Sequence, residues 1–339
     1  NPQAPDQFDM SMDDLKTYLG VWVARRAKAA SSEATPADRE AFEIVPIAYG
    51  PAGVGKTSII EAVGQETGGF DYVLNFRAAE INKEDLTGPP FPNMGDLSDT
   101  EITPERLALD PLAAVRDVVG YSDFLPPDAL FRLTKQHRAQ ELERVTWMKK
   151  LGRLPADYEV PPPPRVLIFL DELPNAREEV QPSLHSLLLR RKFGAGDYEL
   201  LDTVAVMAAG NRTEDAAFVH TLSAPLKGRL GPHTRTRPSL QQWVRWAERS
   251  GIHPLVVAYM KAKAAAAPAE TLEPLMQDAS HMEREYTYAN PRTWGAMSAW
   301  IGVVDKGLGV PDQVALQTLV GVVGPKYGAE FAAFVVAAR

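Results

Sequence analysis

The run Gly50-Pro51-Ala52-Gly53-Val54-Gly55-Lys56-Thr57 fits the pattern G-x-x-x-x-G-K-[ST], whose chemistry is the grip of a polyphosphate. Glycines let a segment wrap so tightly that backbone N–H groups aim at phosphate oxygens. The N-terminus of a following helix adds positive potential to the same spot. In that frame Lys56 reaches the β- and γ-phosphates and the Thr57 hydroxyl ligates Mg²⁺, while Ser58 completes the nucleotide-contacting set. Average residue usage produces such a match by chance in roughly 1% of chains this long.

A second constellation is Phe169-Leu170-Asp171-Glu172. Carboxylates that close a buried parallel strand stand where ligands bind in such sheets. Asp171 is suited to hold Mg²⁺ through water, and Glu172 to polarise an attacking water; both roles need anions beside a metal and a phosphate. Triphosphate hydrolysis is the chemistry these two constellations describe together. Asn82-Lys83-Glu84-Asp85 spells the guanine-reading N-K-x-D tetrapeptide. It precedes the Asp171 strand rather than following it, and Asp171-Glu172-Leu173-Pro174 lacks the glycine of D-x-x-G. The tetrapeptide therefore reads as a helix start, and ATP is favoured over GTP.

The elements that must position these residues follow from pattern. Ser11-Met12-Asp13-Asp14, a hydroxyl with an acid three residues on, predicts a helix start after a polar arm over residues 1–10, and that helix runs to about Ala30. A strand is predicted from Phe42 to Tyr49, with Pro46 arguing that it is partly exposed there. A helix follows from Lys56 to about Gln65, then a strand over Tyr72–Phe76. Residues 88–164 form a long insert, with helices predicted near Pro104–Val118 and Asp128–Gly152 and a stiff spacer at Pro161–Pro164. Val166–Leu170 has no alternation, as expected of a strand buried on both faces. A helix over Glu178–Arg191, a hairpin over Phe193–Leu201 and a buried strand at Val204–Ala208 come next. Alternating strands and helices imply a doubly wound α/β parallel sheet. Beyond Pro238 the pattern turns helical: Leu240–Arg249, His253–Ala266, Arg292–Val304, Pro311–Val323 and Ala329–Ala338. The predicted organisation is thus an arm and helix over 1–40, a nucleotide-binding α/β domain over 41–237, and a helical lid over 238–339.

Composition bounds the alternatives. The chain has 339 residues, 45% hydrophobic and 24% charged, which excludes disordered, fibrous and collagen-like classes. It has no cysteine, so disulfides, thiolate zinc sites and cysteine nucleophiles are excluded. A net charge of −8 argues against a whole-surface nucleic-acid binder. No apolar run reaches the ~18–20 residues of a membrane helix. No basic stretch followed by an apolar one opens the sequence, so no signal peptide is expected, and the expected location is cytoplasmic. The six histidines show no metal-ligand spacing.

These motifs together resemble the AAA+ ATPases, and within them the MoxR-like branch, over about residues 40–305. Ala208-Ala209-Gly210-Asn211-Arg212 resembles sensor 1, which implies that Asn211 orients the attacking water. Leu222-Ser223-Ala224-Pro225-Leu226-Lys227-Gly228-Arg229-Leu230 resembles the segment ending in the arginine finger. Arg229 would then reach a neighbouring subunit's γ-phosphate, with Lys227, Arg235 and Arg237 as nearby competitors. Asn290-Pro291-Arg292-Thr293-Trp294 resembles sensor 2, which implies that Arg292 contacts ATP from the lid. The predicted hairpin resembles the pre-sensor-1 hairpin, and Glu84–Pro90 resembles a turn of MoxR-like proteins. The resemblance implies a P-loop NTPase with ATP and Mg²⁺ as cofactors. It further implies a homo-oligomeric ring, a hexamer in the family, and a protein client or a von Willebrand factor A-type partner.

One segment departs from that pattern. Residues 128–153 carry seven Lys/Arg and three acids. Leu133, Leu142, Val145 and Trp147 are expected to supply the buried side. The net +4 stripe reads either as a solvated face or as a grip on an acidic partner or nucleic acid. The expected activity is therefore that of an ATP-driven remodeller. A nucleic-acid-associated motor is the alternative, and a nucleotide-gated scaffold with little turnover is a third reading.

Overall fold

Val166–Leu170 is buried throughout, and its side chains divide between two cores. Val166, Ile168 and Leu170 enter one hydrophobic cluster; Leu167 and Phe169 enter another. Val204, Val206 and Ala208 against Ala205, Met207 and Ala209 split the same way. A strand with apolar partners on both faces needs no polar alternation, which is why these runs look uniformly apolar.

The computed structural model describes residues 8–29, 35, 44–66, 69–87, 90–92, 122–124, 128–194, 197–211, 222–266, 268, 272–277, 287–305 and 312–338. Its centre is a 6-stranded, all-parallel sheet in the order β1 (Phe8–Ser11), β10 (Leu230–Arg237), β2 (Val45–Tyr49), β9 (Val204–Gly210), β6 (Val166–Asp171), β3 (Tyr72–Arg77). On one face lie α1 (Met12–Ala29) and α2 (Lys56–Glu66), joined through Leu15, Leu19, Trp22 and Val23 to Ile60 and Val63. On the other lies α6 (Gln181–Arg190), through Leu184, Leu187 and Leu188. Helices on both faces of a parallel sheet make this an α/β phosphate-loop fold.

Between β3 and β6 come α3 (Lys83–Thr87), the antiparallel pair β4 (Pro90–Pro92) and β5 (Ser122–Phe124), α4 (Asp128–Phe131) and α5 (Lys135–Lys150). A small hairpin, β7 (Lys192–Phe193) with β8 (Tyr198–Glu199), precedes β9. After α7 (Ala224–Lys227) and β10, the helices α8 (Leu240–Arg249), α9 (Pro254–Ala266), α10 (Pro291–Asp305), α11 (Asp312–Val323) and α12 (Pro325–Ala338) gather around their own core. Trp294 and Phe331 are fully buried there, edge to face with ring centroids 5.6 Å apart.

Four expectations need correction. From Phe8 onward the expected arm is a strand, paired in register with Thr234–Arg237. Leu230–Arg237, where pattern predicts no strand, is β10. Its sequence, LGPHTRTR, has no apolar run because Thr234 and Thr236 turn buried hydroxyls onto the carbonyls of Ile47 and Tyr49. Pro46 is buried in a central strand rather than exposed. The ladder with β10 is irregular between Leu230 and His233, and pairing with β9 begins only at Ile47, so the absent N–H of Pro46 falls where no ladder needs it. Finally, the basic segment is two helices, broken where Thr134 caps α5 by accepting from the His137 N–H at 3.1 Å. Leu133 is buried, but α5 itself buries nothing: Leu142 and Trp147 are 46% and 56% exposed. The helix predicted near Pro104–Val118 lies outside the described residues.

Candidate active site

Every strand of the sheet runs the same way, so β2, β6 and β9 deliver their last residues to one edge. Gly50 follows β2, Asp171 closes β6, and Asn211 follows β9. The loop between β2 and α2 turns through left-handed backbone at Gly53 (φ 78°) and Gly55 (φ 97°), which only glycine adopts without strain. Glycine is needed at Gly50 for room: a Cβ there would stand 2.5 Å from Thr236 Oγ1.

The predicted residues form two hydrogen-bonded groups, one on Lys56 and one on its neighbour Thr57. The buried Lys56 ammonium donates to the carbonyls of Gly50 (2.6 Å) and Pro51 (2.8 Å) and to Asn211 Oδ1 (3.1 Å). The Thr57 hydroxyl donates to Asp171 Oδ2 at 2.7 Å. Asp171 Oδ1 accepts from the Glu172 N–H at 2.9 Å. Glu172 is in the left-handed region (φ 54°, ψ 34°), which costs a non-glycine residue about 1–2 kcal/mol. A 3₁₀ turn, Leu173–Asn175, follows at once, and the Asn175 N–H donates to the Glu172 carbonyl at 2.8 Å.

The helical region closes over the loop. Asn290 and Thr293 cap α10 reciprocally: the Thr293 N–H donates to Asn290 Oδ1 (3.0 Å) and the Asn290 N–H to Thr293 Oγ1 (2.9 Å). A Cβ on Gly53 would lie 2.8 Å from Asn290 Oδ1 and 3.4 Å from Arg292 Cβ. Arg292, exposed, is therefore brought to the phosphate loop, and Asn290 with it. Met12 also approaches the loop, its Cε 3.7 Å from where a Gly55 Cβ would stand.

Arg229 is not brought there. Leu230 pairs with Val45, the first residue of β2, whereas the loop starts after its last. At ~3.3 Å per residue, the Arg229 backbone is about 20 Å from the start of its own chain's loop. Among its competitors, Lys227 is exposed, and the Arg235 Nε lies 3.6 Å from Asp9 Oδ1. Asn82 behaves as a helix start: its N–H donates to Asp85 Oδ2 at 2.7 Å, just before α3.

Sequence reasoning missed Asn290, Met12 and Arg77. Asn290 stood inside the quoted Asn-Pro-Arg-Thr-Trp run and had a cap signal of its own. Arg77 is the register partner of Asp171 at the end of β3. Its guanidinium is held above its ordinary value, first by the hydrogen bond to Glu80 at 3.1 Å and then by the charges of Glu80, Glu172 and Asp171.

The donor set suits Mg²⁺. Thr57 and Asp171 supply two hard oxygens already in contact, and this ion takes one or two protein oxygens with phosphate and water. Among the described residues, no group of three or more His, Cys, Asp or Glu is placed to hold a metal by itself.

No protein-family model matches the chain, and no curated protein sequence does. Solved structures similar to it include PCH-2 of C. elegans, at 12% identity over 98% of this chain and 70% of that one, with a TM-score of 0.36. NtrX of Brucella abortus, in complex with ADP, is 14% identical over 87% of this chain and 50% of its own, with a TM-score of 0.39. The RuvB Holliday junction branch migration motor of Thermotoga maritima is 14% identical over 91% of this chain and 70% of its own, with a TM-score of 0.36. Likenesses this distant lend nothing to the assignment of an activity, which rests on the geometry of the carboxyl edge.

Proposed function

We propose that the chain is a Mg²⁺-dependent ATPase of the AAA+ type, in the MoxR-like branch, working as a ring that remodels a protein client in the cytoplasm. The observation that carries this reading is that the neighbours Lys56 and Thr57 bond Asn211 and Asp171, the residues at the ends of β9 and β6, with Glu172 next to Asp171. The division into an α/β domain over 41–237 and a lid over 238–339 belongs to the same proposal, as does a von Willebrand factor A-type partner.

Each residue then has a task. Residues Gly50–Ser58 bind the triphosphate, and the Lys56 ammonium exchanges loop carbonyls for β- and γ-phosphate oxygens. Thr57 and Asp171 hold Mg²⁺, which when bound neutralises charge on the phosphates. The Glu172 carboxylate draws the proton from the attacking water, and Asn211 orients that water. Arg292 contacts the γ-phosphate from the lid. Arg229, far from its own loop, acts on the neighbouring subunit's nucleotide. Steady-state phosphate release from the assembled protein tests the reading: turnover no higher than that of Glu172→Gln would end it.

A specific feature favours a second reading, a DNA- or RNA-associated motor. On α5, Arg144 and Trp147 share one helix face at a spacing of three, the C-cap Leu151 follows four residues on, and Lys150 lies one turn beyond Trp147. Trp147 and Leu151 are 56% and 48% exposed. An exposed aromatic between cations is a stacking platform for single strands. Arg138 and Lys149 are already engaged, with Glu141 and with the Ala156 carbonyl. The discriminating measurement is therefore stimulation of ATP turnover by single-stranded DNA, and its loss in Arg144→Ala/Lys150→Ala. No stimulation leaves the protein-remodelling reading alone.

A further inference from the structure

The end of β9 and the turn after Glu172 are pressed together more closely than side chains allow. A Cβ built on Gly210 would lie 2.1 Å from Pro174 Cδ and 2.5 Å from Pro174 Cγ, with Pro174 N at 3.6 Å. Gly210 is not among the residues of positive φ, so glycine is required there for space and not for backbone freedom. Pro174 is the middle residue of the 3₁₀ turn that begins directly after Glu172. Its ring restricts φ at 174 and the backbone of Leu173 before it.

Gly210 also joins the other parts of the site. Its carbonyl accepts the Gly50 N–H at 3.2 Å, where the phosphate loop begins, and Asn211 is its neighbour in sequence. Glu172, in turn, is held on both sides of its own peptide units, by Asp171 Oδ1 and by the Asn175 N–H. The left-handed conformation of Glu172 thus depends on where the turn sits, and the turn sits on Gly210.

We propose that the seat of the Pro174 ring on Gly210 is a positioning contact that fixes the Glu172 turn relative to Asn211 and so sets the rate of hydrolysis rather than the affinity for nucleotide. This rests on the ATPase reading above. Gly210 and Pro174 are positioning residues: neither carries a group that takes part in the chemistry.

The test is a double-variant cycle on the full chain, read by steady-state ATP turnover and by equilibrium binding of a fluorescent ATP analogue. Gly210→Ala is expected to lower kcat ~10–100-fold, the scale of a misplacement near 1 Å, while KM and analogue affinity stay within about 2-fold. Pro174→Ala removes Cγ and Cδ, the atoms the new methyl would strike. Added to Gly210→Ala, it is expected to restore kcat to the level of Pro174→Ala alone, itself several-fold below the parent. Normal kcat in Gly210→Ala, equal losses in kcat and affinity, or losses that multiply in the double variant would overturn the proposal. If Gly210→Ala fails to fold, Pro174→Ala decides, and an unchanged kcat there overturns it. A parent chain that binds the analogue but releases no phosphate removes the ATPase reading and this contact with it. A parent that hydrolyses, with an inactive Glu172→Gln and a normal Gly210→Ala, removes only the contact.

Discussion

The two edges of the sheet bury cations in different ways. At the amino edge, Arg26 donates to the carbonyls of Asp202 (2.8 Å) and Val204 (3.1 Å), and Arg191 donates to those of Leu201 and Val204, both at 2.7 Å. Burial, and then the charge of Arg191, push Arg26 down to about 10, with Asp202 acting the other way; burial also lowers Arg191. These guanidiniums bolt α1 and the end of α6 to the root of β9. At the carboxyl edge, Lys56 bonds two loop carbonyls and the Asn211 side chain, and Thr57 bonds Asp171. Those partners lie in a glycine loop or on side chains, where, on the proposed ATPase reading, a ligand's oxygens would exchange for them. A buried charge marks a site when its partners are replaceable, and marks scaffolding when they are the backbone of a central strand.

Arg229 is where this comparison should break, since it lies at the amino edge yet is assigned to chemistry in a neighbouring subunit. Arg229→Ala should lose turnover ~10³-fold or more with ATP binding intact. Mixing it with Glu172→Gln should restore a fraction of sites; normal turnover in Arg229→Ala alone would return Arg229 to the scaffold. Glu172→Gln should lower turnover ~10²–10⁴-fold while retaining ATP, measured by phosphate release against equilibrium binding. Arg191→Met, at the bolted edge, should cost about 2–3 kcal/mol in denaturant unfolding, the worth of charged hydrogen bonds left unmade, with ATP affinity within about 2-fold. A large affinity loss there would erase the distinction between the edges.

The smallest effect lies in the helical region. Lys263 holds Glu330 below its ordinary 4.5, through a hydrogen bond at 2.5 Å, and the Tyr259 hydroxyl assists. That contribution is complete above pH 4.5 and is lost as pH falls through the lower folded value. Glu330→Gln should therefore lower the neutral plateau of a thermal-unfolding profile slightly and converge on the parent in acid, which flattens the acid limb.

What was legible in the sequence was local. The loop at 50–57 and the Asp171–Glu172 pair declare themselves because their chemistry lies in consecutive residues, and β6 and β9 because both faces are apolar. β10 was hidden because its buried positions are threonines whose hydroxyls bond β2 carbonyls. α5 misled in the opposite sense: Leu142 and Trp147 suggest a buried face, but both are exposed. The contact between Gly210 and Pro174 joins residues of two different strand ends and has no sequence pattern at all.

Titration calorimetry of Mg²⁺-ATP into the intact chain and into Lys56→Ala tests the central claim most directly. The arrangement at the carboxyl edge predicts one ATP per chain for the parent and an affinity at least ~100-fold weaker for Lys56→Ala, whose lost ammonium is a charged partner of the phosphates. Equal binding by both proteins, or none by the parent, would contradict it.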